Sequence, residues 1–367
     1  MLKAGFIGFG RMGITHFSIL NTHPSVRIAA VCDQSRTMLN ILKKYVNIET
    51  YSDYRKMINE TDLDFVVIST PTDSHSEIIK AAIDNNLHTF AEKPFSLTPA
   101  DGLETLENLK GKPLVNQVGY VNRFNEVFVE VKRLINAGVI GEIKNFSSEM
   151  YGATVLKDSK SSWRGKRKTG GGCMYEFASH CIDLAIYLIG QPDKVVGSIL
   201  ESIYSSNVED LVSSTFMYNN GCSGTIKVNW SDESFRKPTN TLMVFGTRGK
   251  ILADKHAYKV FLREPDQANG LHKGWNTKYI TDFAKSVRFY VRGNEFTRQL
   301  DYFIECIQKK ETFNISSFSE ALKTDIVMEE IIKDATQSLA EKEDGSQVPS
   351  YLTQDPKKTS KWRRFFK

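Results

Sequence analysis

An imidazole and two carboxylates recur at helical spacing in the middle of the chain. Glu176, His180 and Asp183 stand at positions i, i+4 and i+7, so an α-helix over residues 174–189 would place all three on one face. A histidine held by a carboxylate is the arrangement that a general base needs near neutral pH. Three glycines at 170–172 precede this helix and permit close backbone approach. The pattern predicts a general base, and a structural histidine or a metal site using Glu, His and Cys are the alternatives. The spacing matches no zinc template, so no metal is expected.

A lysine next to a proline is the second candidate for chemistry. Glu92, Lys93 and Pro94 follow an apolar run, 88–91, that is typical of a buried strand. At the carboxyl end of a parallel strand, a lysine can meet a hydroxyl or carbonyl oxygen near a nicotinamide, where desolvation would tune its pKa. The alternative is a charged surface turn. A further loop, starting at Thr70 and Pro71, follows the predicted strand 64–69 at the same ligand-binding edge.

A glycine-rich turn opens the chain. The first apolar run ends in Gly8-x-Gly10-x-x-Gly13: the first glycine allows a tight turn, the second a close approach to a pyrophosphate, and the third helix–strand packing. The pyrophosphate would lie at the N-terminus of the following helix. Asp33, about 20 residues further on, can bind the adenosine ribose hydroxyls. The pattern predicts dinucleotide binding, and a glycine turn of another α/β protein is the alternative. The carboxylate favours NAD over NADP, whereas the nearby Arg36 keeps NADP as an alternative.

Length and composition indicate a globular chain of two domains. The 367 residues are 41% hydrophobic and 25% charged, with a mild net charge of +5. No apolar run approaches the length of a membrane helix, and the chain begins with the first predicted strand, so we expect no signal peptide. Five cysteines without framework spacing fit a reducing compartment. We therefore expect a cytoplasmic protein.

The first third of the chain alternates short apolar runs with helical patterns, which is typical of βαβ units and a parallel sheet. We predict strands at 2–7, 28–32, 64–69, 88–91 and 114–117, and helices at 14–21, 37–45, 54–59, 76–85, 99–109 and 127–137. Later runs indicate strands of a largely antiparallel sheet at 143–152, 194–203, 211–218, 222–230, 241–246 and 250–253. Two late helices, 296–309 and 317–339, are expected to pack back on the body of the protein. The predicted domains are 1–122 and 123–350, followed by a tail at 351–367.

Taken in order, these motifs resemble the Gfo/Idh/MocA family (glucose–fructose oxidoreductase, inositol dehydrogenase and rhizopine catabolism). The matching segments extend over nearly the whole chain: 8–13, 70–71 with His75, 92–94, 119–124, 163–164 and 170–183. The resemblance implies an α/β protein with an N-terminal doubly wound Rossmann sheet. It also implies a C-terminal α/β domain whose open, mostly antiparallel sheet commonly forms an oligomer interface. Members mostly oxidise or reduce a carbinol carbon of a sugar, cyclitol or sugar nucleotide.

The resemblance also implies roles for individual residues. Lys93 would touch nicotinamide and substrate, and His180 would take the hydroxyl proton. Glu176 would assist as a third catalytic group, although the family often has aspartate there and glycine at the position of Ser179. The implied cofactor contacts are Gly8, Gly10, Arg11, Met12, Asp33, Thr70, Pro71, His75, Glu92 and Lys93. The implied substrate contacts are Tyr120, Arg123, Trp163, Arg164 and Asp183.

Two basic segments stand apart from these motifs. Lysines and arginines crowd residues 157–168, which suggests an anionic substrate such as a sugar nucleotide or sugar phosphate, with a solvated loop as the alternative. Aromatic and basic residues alternate in the tail at 360–367, which suits contact with an anionic membrane surface, a partner or a neighbouring subunit. Neither segment accompanies a nucleic-acid-binding motif, so we expect no nucleic-acid partner.

The sequence therefore predicts an NAD(P)-dependent oxidoreductase that transfers hydride to or from a carbinol carbon of a sugar, cyclitol or sugar nucleotide. We expect a homo-oligomer, a dimer or a tetramer. One alternative is an NAD-dependent glycosidase or epimerase, in which oxidation is transient. The other is a non-enzymatic dinucleotide sensor, against which the presence of both Lys93 and His180 argues.

Overall fold

The first sheet carries six parallel strands in a computed structural model that describes residues 1–46, 48–154 and 163–340. Their order, β3-β2-β1-β4-β5-β6, reverses between β1 and β4, which creates the crevice where doubly wound folds bind ligands. The strands are β1 (Leu2–Ile7), β2 (Val26–Cys32), β3 (Glu49–Tyr51), β4 (Phe65–Ile68), β5 (His88–Ala91) and β6 (Asn116–Val118). The helices between them are α1 (Arg11–Leu20), α2 (Arg36–Tyr45), α3 (Tyr54–Glu60), α4 (His75–Asp84) and α5 (Pro99–Leu109).

Local sequence explains where several of these helices begin. The side chains of Ser35, Asp53 and Thr98 accept hydrogen bonds from the first-turn amides of α2, α3 and α5. Pro99, at the first position of α5, has no amide hydrogen to leave unpaired. The first helix differs, because Gly10 precedes α1 and no side chain caps it. Its first amides are thus left for another partner.

The second sheet has eight strands in the order β14-β13-β12-β11-β7-β10-β9-β8. All neighbours are antiparallel except β7 and β10, which run parallel at its centre. Buried and exposed residues alternate along the strands, so one face packs on helices and the other faces outward. The strands are β7 (Ile143–Tyr151), β8 (Lys194–Glu201), β9 (Leu211–Met217), β10 (Ser223–Asn229), β11 (Thr241–Gly246), β12 (Gly249–Ala253), β13 (Ala257–Leu262) and β14 (Gly274–Tyr279).

Four further helices pack on the two sheets, namely α6 (Glu126–Asn136), α7 (Ser179–Leu188), α8 (Asn294–Lys309) and α9 (Phe318–Ala340). From α8, Phe303 lies edge-on to Phe65 and Phe90 of the first sheet, at ring-centroid distances of 5.6 and 5.8 Å. At the start of α9, Phe318 stacks on Phe95 at 4.6 Å, while Val327 joins the core of the second sheet. Both late helices therefore pack back on the body, as predicted.

The segment between α8 and α9 covers the free edge of β6. The Val118 amide donates to the Ser316 carbonyl at 2.8 Å, and the Ser316 hydroxyl donates to the Val118 carbonyl at 2.8 Å. The Asn314 side chain donates to the Asn116 carbonyl at 2.7 Å. The edge of the first sheet is thus completed by residues far along the chain.

The predicted α/β fold class is confirmed, with three strands and one helical turn not foreseen. The sequence prediction omits β3, β13 and β14, and it treats 174–189 as one α-helix, whereas Met174–Ala178 is a π-helical turn leading into α7. The tail at 351–367 and the basic residues Lys157 and Lys160 lie outside the described residues. None of the described helices is both long and apolar enough to cross a membrane.

Candidate active site

The glycine turn between β1 and α1 has the geometry of a phosphate-binding site. Gly8 has φ +85°, and a Cβ there would lie 2.8 Å from the Ser69 carbonyl. A Cβ on Gly13 would lie 2.2 Å from the Gly8 oxygen, so helix and strand meet only through glycine. A Cβ on Gly10 would meet nothing within 4 Å. Open space therefore lies before the uncapped N-terminus of α1, where free amides favour an anion and a pyrophosphate fits.

Asp33 is held against this turn at the end of β2. One carboxylate oxygen accepts a hydrogen bond from the Phe9 amide at 2.6 Å, and the other accepts from the Ser35 amide at 2.7 Å. The charge is fixed beside the place where an adenosine ribose would lie. Arg36 is exposed at the start of α2.

We expect Asp33→Asn to weaken discrimination against the 2′-phosphate, because it removes the charge while preserving the shape of the side chain. NADH affinity should fall about tenfold, and the ratio of NADPH to NADH dissociation constants should shrink by about the same factor. Fluorescence titration with both cofactors measures this. Asp62→Asn, an exposed carboxylate of the same domain, is the control. An unchanged ratio of the two dissociation constants would show that Asp33 does not bind the ribose hydroxyls.

His75 joins the loops that follow β4 and β5. Its Nδ1 lies 3.1 Å from the Pro94 carbonyl and its Nε2 lies 3.1 Å from the Thr70 carbonyl. The side chain is completely buried, so the imidazole positions the two loops from beneath. Pro71 and Thr70 remain at the ligand-binding edge, where their cofactor contacts stay predictions.

Both carboxylate oxygens of Glu92 have polar partners. His16 of α1 approaches one carboxylate oxygen at 2.7 Å, and the Lys93 amide donates to the other at 3.2 Å. Burial acts to raise the pKa of Glu92, but His16 and Lys93 together bring it below its usual value. Sequence reasoning missed His16, whose signal was its place three residues after Gly13 on the buried face of α1.

Lys93 contacts Glu176, which lies in the π-helical turn. The Lys93 ammonium donates to the Glu176 carbonyl at 3.1 Å and lies 3.7 Å from a Glu176 carboxylate oxygen. The other carboxylate oxygen lies 3.3 Å from Nε of Arg164, whose guanidinium stacks over Trp163. The expected pairing of Glu176 with His180 is therefore wrong. The cations of Lys93 and Arg164 attract the Glu176 carboxylate away from His180. The π-helical turn at Met174–Ala178 also differs from the α-helix on which the predicted spacing is based.

His180 lies in the first turn of α7. Its Nδ1 is buried and has no hydrogen-bond partner among the described residues, and its ring lies edge-on to Tyr120 at 6.4 Å. Burial lowers the pKa of His180 well below its usual value, and the charges of Lys93 and Lys255 lower it further. The imidazole is thus neutral near pH 7, which is the protonation state that a general base requires.

Arg123 and Asp183, both predicted to contact substrate, bind each other. Arg123 donates to Asp183 from Nη2 at 2.8 Å and from Nε at 3.0 Å, and their side chains are only 2% and 1% exposed. Burial raises the pKa of Asp183, and Arg123 opposes that rise. The pair fastens the segment after β6 to α7, and each residue satisfies the charge of the other.

The glycines before the π-helical turn allow the Trp163–Arg164 segment to come close. A Cβ on Gly171 would lie 2.2 Å from the Arg164 carbonyl oxygen, and one on Gly172 would lie 2.4 Å from the Glu209 carboxylate. Glu209 is completely buried and binds Arg167 at 2.8 Å. Two described cations of the basic segment are therefore paired with carboxylates. Among the described residues, no cluster of three or more His, Cys, Asp or Glu side chains is placed to hold a metal.

Asp325 of α9 supports the loop that carries Lys93. Its Oδ2 accepts hydrogen bonds from the Ser96 amide at 2.9 Å and the Ser96 hydroxyl at 2.8 Å. The residue is 2% exposed, and burial raises the pKa of Asp325 to about 8, with Asp183 adding to the rise and Ser96 opposing it. At neutral pH the Asp325 carboxyl group is thus protonated in the folded protein, and it loses this proton when the chain unfolds.

This carboxyl predicts a pH-dependent loss of stability. Between about pH 4 and pH 8 the folded state binds more protons at Asp325, so its contribution to the free energy of unfolding falls as the pH rises, by up to about 1.4 kcal/mol per pH unit. Asp325→Asn should flatten the pH dependence over this range, as measured by urea unfolding from pH 5 to 8. Asp84→Asn, an exposed carboxylate, should leave the slope unchanged. Parallel slopes for Asp325→Asn and the unmodified protein would contradict the assignment.

Comparison with known proteins identifies the family. Residues 2–120 match the model of the oxidoreductase family with an NAD-binding Rossmann fold, and residues 128–252 match the GFO/IDH/MocA C-terminal domain. The chain belongs to the Gfo/Idh/MocA family of oxidoreductases, and its first domain is an NAD-binding Rossmann domain. The predicted resemblance and the predicted cofactor are confirmed.

Individual relatives cover different shares of the chain. Inositol 2-dehydrogenase of Salmonella typhimurium is 30% identical over 200 residues, which are 53% of this chain and 56% of that protein. The chain thus spans little more than half the length of that relative. The scyllo-inositol 2-dehydrogenase (NAD(+)) of Bacillus subtilis is 25% identical over 334 residues, 89% of this chain and 92% of that protein.

A solved structure supports the fold. Levoglucosan dehydrogenase in complex with NADH and levoglucosan superposes with a TM-score of 0.81 at 22% identity. The match covers 92% of this chain and 97% of that chain. The arrangement of the two sheets is therefore shared along almost the whole chain.

Proposed function

We propose that the protein is an NAD-dependent dehydrogenase or reductase that acts on a secondary hydroxyl of a polyhydroxylated substrate, a sugar, cyclitol or sugar nucleotide. The observation that carries this proposal is the His180 imidazole, whose buried Nδ1 has no hydrogen-bond partner among the described residues and which the charge of the Lys93 ammonium helps to keep neutral. The inositol dehydrogenases and levoglucosan dehydrogenase among its relatives support a sugar-like substrate.

Each site residue would have its own role in the reaction. Bound NAD supplies a hydride acceptor in one direction and a hydride donor in the other. His180 accepts the hydroxyl proton during oxidation and returns it during reduction. Lys93 donates a hydrogen bond to the reacting oxygen and stabilises the negative charge that develops there. Glu176 keeps Lys93 in place through its carbonyl and carboxylate.

The test begins with fluorescence titration of NADH and NADPH. NAD⁺ is then supplied with myo-inositol, scyllo-inositol, glucose, levoglucosan and UDP-sugars, while NADH formation and product identity are followed. Net NADH formation with at least one compound is the expected result. Bond cleavage or inversion without net NADH would instead favour the glycosidase or epimerase alternative. Tight NADH binding without any turnover would favour a sensor, and failure to bind either cofactor would overturn the proposal.

We propose in addition that the outward face of the second sheet joins copies of this chain. Large apolar side chains remain exposed there, including Phe245 at 41% and Trp275 at 47%, and Trp275 lies edge-on to Phe261 at 5.4 Å. Exposed aromatic side chains of this kind are enriched at protein interfaces. Light scattering should give a dimer or tetramer that Trp275→Glu weakens, and a monomer at micromolar concentration would contradict the assignment.

A further inference from the structure

The π-helical turn that leads into α7 is capped by a residue from another element. The Cys173 amide donates to the Glu209 carbonyl at 3.0 Å, and the Met174 amide donates to Oε1 of the Glu209 carboxylate at 2.9 Å. The side chain of Cys173, just before the turn, makes no capping hydrogen bond. Glu209 lies between β8 and β9, 35 residues after Met174. A carboxylate at this position satisfies amides that a helix start leaves unpaired and is favoured by the helix dipole.

The turn that Glu209 caps also holds the Lys93 ammonium. Nζ of Lys93 donates to the Glu176 carbonyl at 3.1 Å and to the Tyr175 carbonyl at 3.4 Å. These carbonyls belong to the two residues directly after Met174, whose amide Glu209 binds. Because the three residues share one turn of backbone, a movement at Met174 also moves both acceptors of the ammonium. The position of Lys93 therefore depends on the cap.

Glu209 is itself held firmly by the second sheet. It is completely buried, and its carboxylate lies so close to Gly172 that a Cβ there would be 2.4 Å from Oε1. The next residue, Asp210, accepts hydrogen bonds from the three amides of residues 203–205 at 2.6 to 2.8 Å. Asp210 also accepts from the indole of the buried Trp230 at 2.6 Å. The cap is therefore supplied from a fixed point.

Each carboxylate oxygen of Glu209 has its own donor. The Met174 amide binds Oε1, and Nη1 of Arg167 binds Oε2 at 2.8 Å. Burial raises the pKa of Glu209, whereas Arg167 and the Met174 amide oppose that rise. A carboxamide has a single acceptor oxygen, so glutamine at this position could satisfy only one of the two donors. This difference allows the cap and the ion pair to be tested separately.

We propose that Glu209 is a positioning residue, which fixes the Lys93 ammonium relative to His180 by capping the π-helical turn. This inference rests on the proposed function, in which Lys93 and His180 act on the same hydroxyl. Misplacing a catalytic group by about 1 Å can cost about 100-fold in rate. Loss of the cap is therefore expected to lower kcat, while the glycine turn, which belongs to the other domain, keeps its geometry.

The test compares Glu209→Gln with the double variant Glu209→Gln and Arg167→Met. In Glu209→Gln two donors compete for one oxygen, so kcat should fall about 10- to 100-fold, with KM within about threefold and NADH affinity within about twofold. In the double variant Arg167 no longer competes, so the carboxamide caps the turn and most of kcat should return. Asp334→Asn is the matched control, because this carboxylate of the same domain also accepts from a backbone amide, that of Ser198, at 2.7 Å. It should leave kcat unchanged.

The pKa of His180 provides a second readout, which a general loss of stability would not move and which needs no turnover. Burial lowers the pKa of His180, and the charges of Lys93 and Lys255 lower it further. Tyr120 also faces the imidazole, but burial raises the pKa of its phenol, which stays neutral. Withdrawal of Lys93 in Glu209→Gln should therefore raise the pKa of His180, and the double variant should restore it. NMR titration of protein labelled with ¹⁵N at histidine measures this, and His180→Gln assigns the signal.

The outcomes separate this inference from the proposed function. A pKa of His180 that rises in Glu209→Gln and returns in the double variant, in a protein without turnover, would support the positioning role and contradict the dehydrogenase. An unchanged pKa of His180 in Glu209→Gln would overturn the positioning role, whether or not a substrate is turned over. An equal loss of kcat in both variants would also overturn it, because the carboxylate charge rather than the cap would then matter. Where Glu209→Gln does not fold, the double variant decides, since a pKa of His180 different from that of the unmodified protein would contradict the cap.

Discussion

Turnover of a hydroxyl substrate is expected to fall about 10²- to 10⁴-fold when His180 is replaced by Gln, while NADH affinity stays within about twofold. In the proposed reaction the neutral imidazole takes the hydroxyl proton, and glutamine cannot accept it. Its Nδ1 has no protein partner among the described residues, so the substitution breaks no hydrogen bond at that atom. Steady-state kinetics together with NADH titration separates lost chemistry from lost binding.

The pH dependence gives an independent signature of the same group. Burial and the nearby lysines lower the pKa of His180 well below 6.5, so the base should stay neutral, and oxidation should stay fast, until the pH falls well below that value. His180→Gln should lack this acidic limb. His272→Gln, an exposed histidine, should reproduce both the rate and the profile of the unmodified protein. Full activity in His180→Gln would remove the proposed base.

The largest effect on stability is expected at the buried ion pair of Arg123 and Asp183. Removing either partner leaves an uncompensated charge in the interior, so Arg123→Met or Asp183→Asn should cost about 3–5 kcal/mol in the free energy of unfolding. That cost is a large fraction of the about 5–15 kcal/mol that holds a typical domain together. Urea unfolding monitored by circular dichroism measures it.

A second pair on the surface provides the control. Arg133 and Glu130 form an i,i+3 ion pair at 2.8 Å with the arginine half exposed, so Arg133→Met should cost less than about 1 kcal/mol. The double replacement Arg123→Met with Asp183→Leu should recover part of the loss, because it leaves neither charge alone in the core. A loss below about 1 kcal/mol for the buried single variants would show that water reaches the pair.

The first sheet could be predicted from local sequence, and much of the second could not. The predicted β1, β5 and α5 have the observed bounds, because apolar runs and capping residues mark their ends. The three residues of β3 form no apolar run, and β14 is an edge strand with mostly exposed side chains, so neither has a strong signal. Strand order depends on distant pairings such as β7 with β10, which periodicity does not encode.

The candidate site, too, could be predicted only in part from the sequence. Strand-end positions identified Lys93 and the glycine turn, because parallel strands bring their carboxyl ends to one edge. The partner of Glu176 could not be read from helical spacing, since Arg164 and Lys93 approach it from other elements. Lys255 and Asp325 carry no motif. Their surroundings arise only when turns and helices from distant parts of the chain come together.

The segment that completes the edge of β6 has a consequence for how the chain folds during its synthesis. Asn314 and Ser316 supply the hydrogen bonds that β6 lacks, and they lie 198 residues after their partners. Until they leave the ribosome, the nucleotide-binding half exposes an unpaired strand edge, together with the apolar surface later covered by Phe303 and Phe318. A fragment ending at residue 122 should therefore self-associate. The domain at the start of the chain is the first to be synthesised, and it is completed only when α8 and α9 arrive.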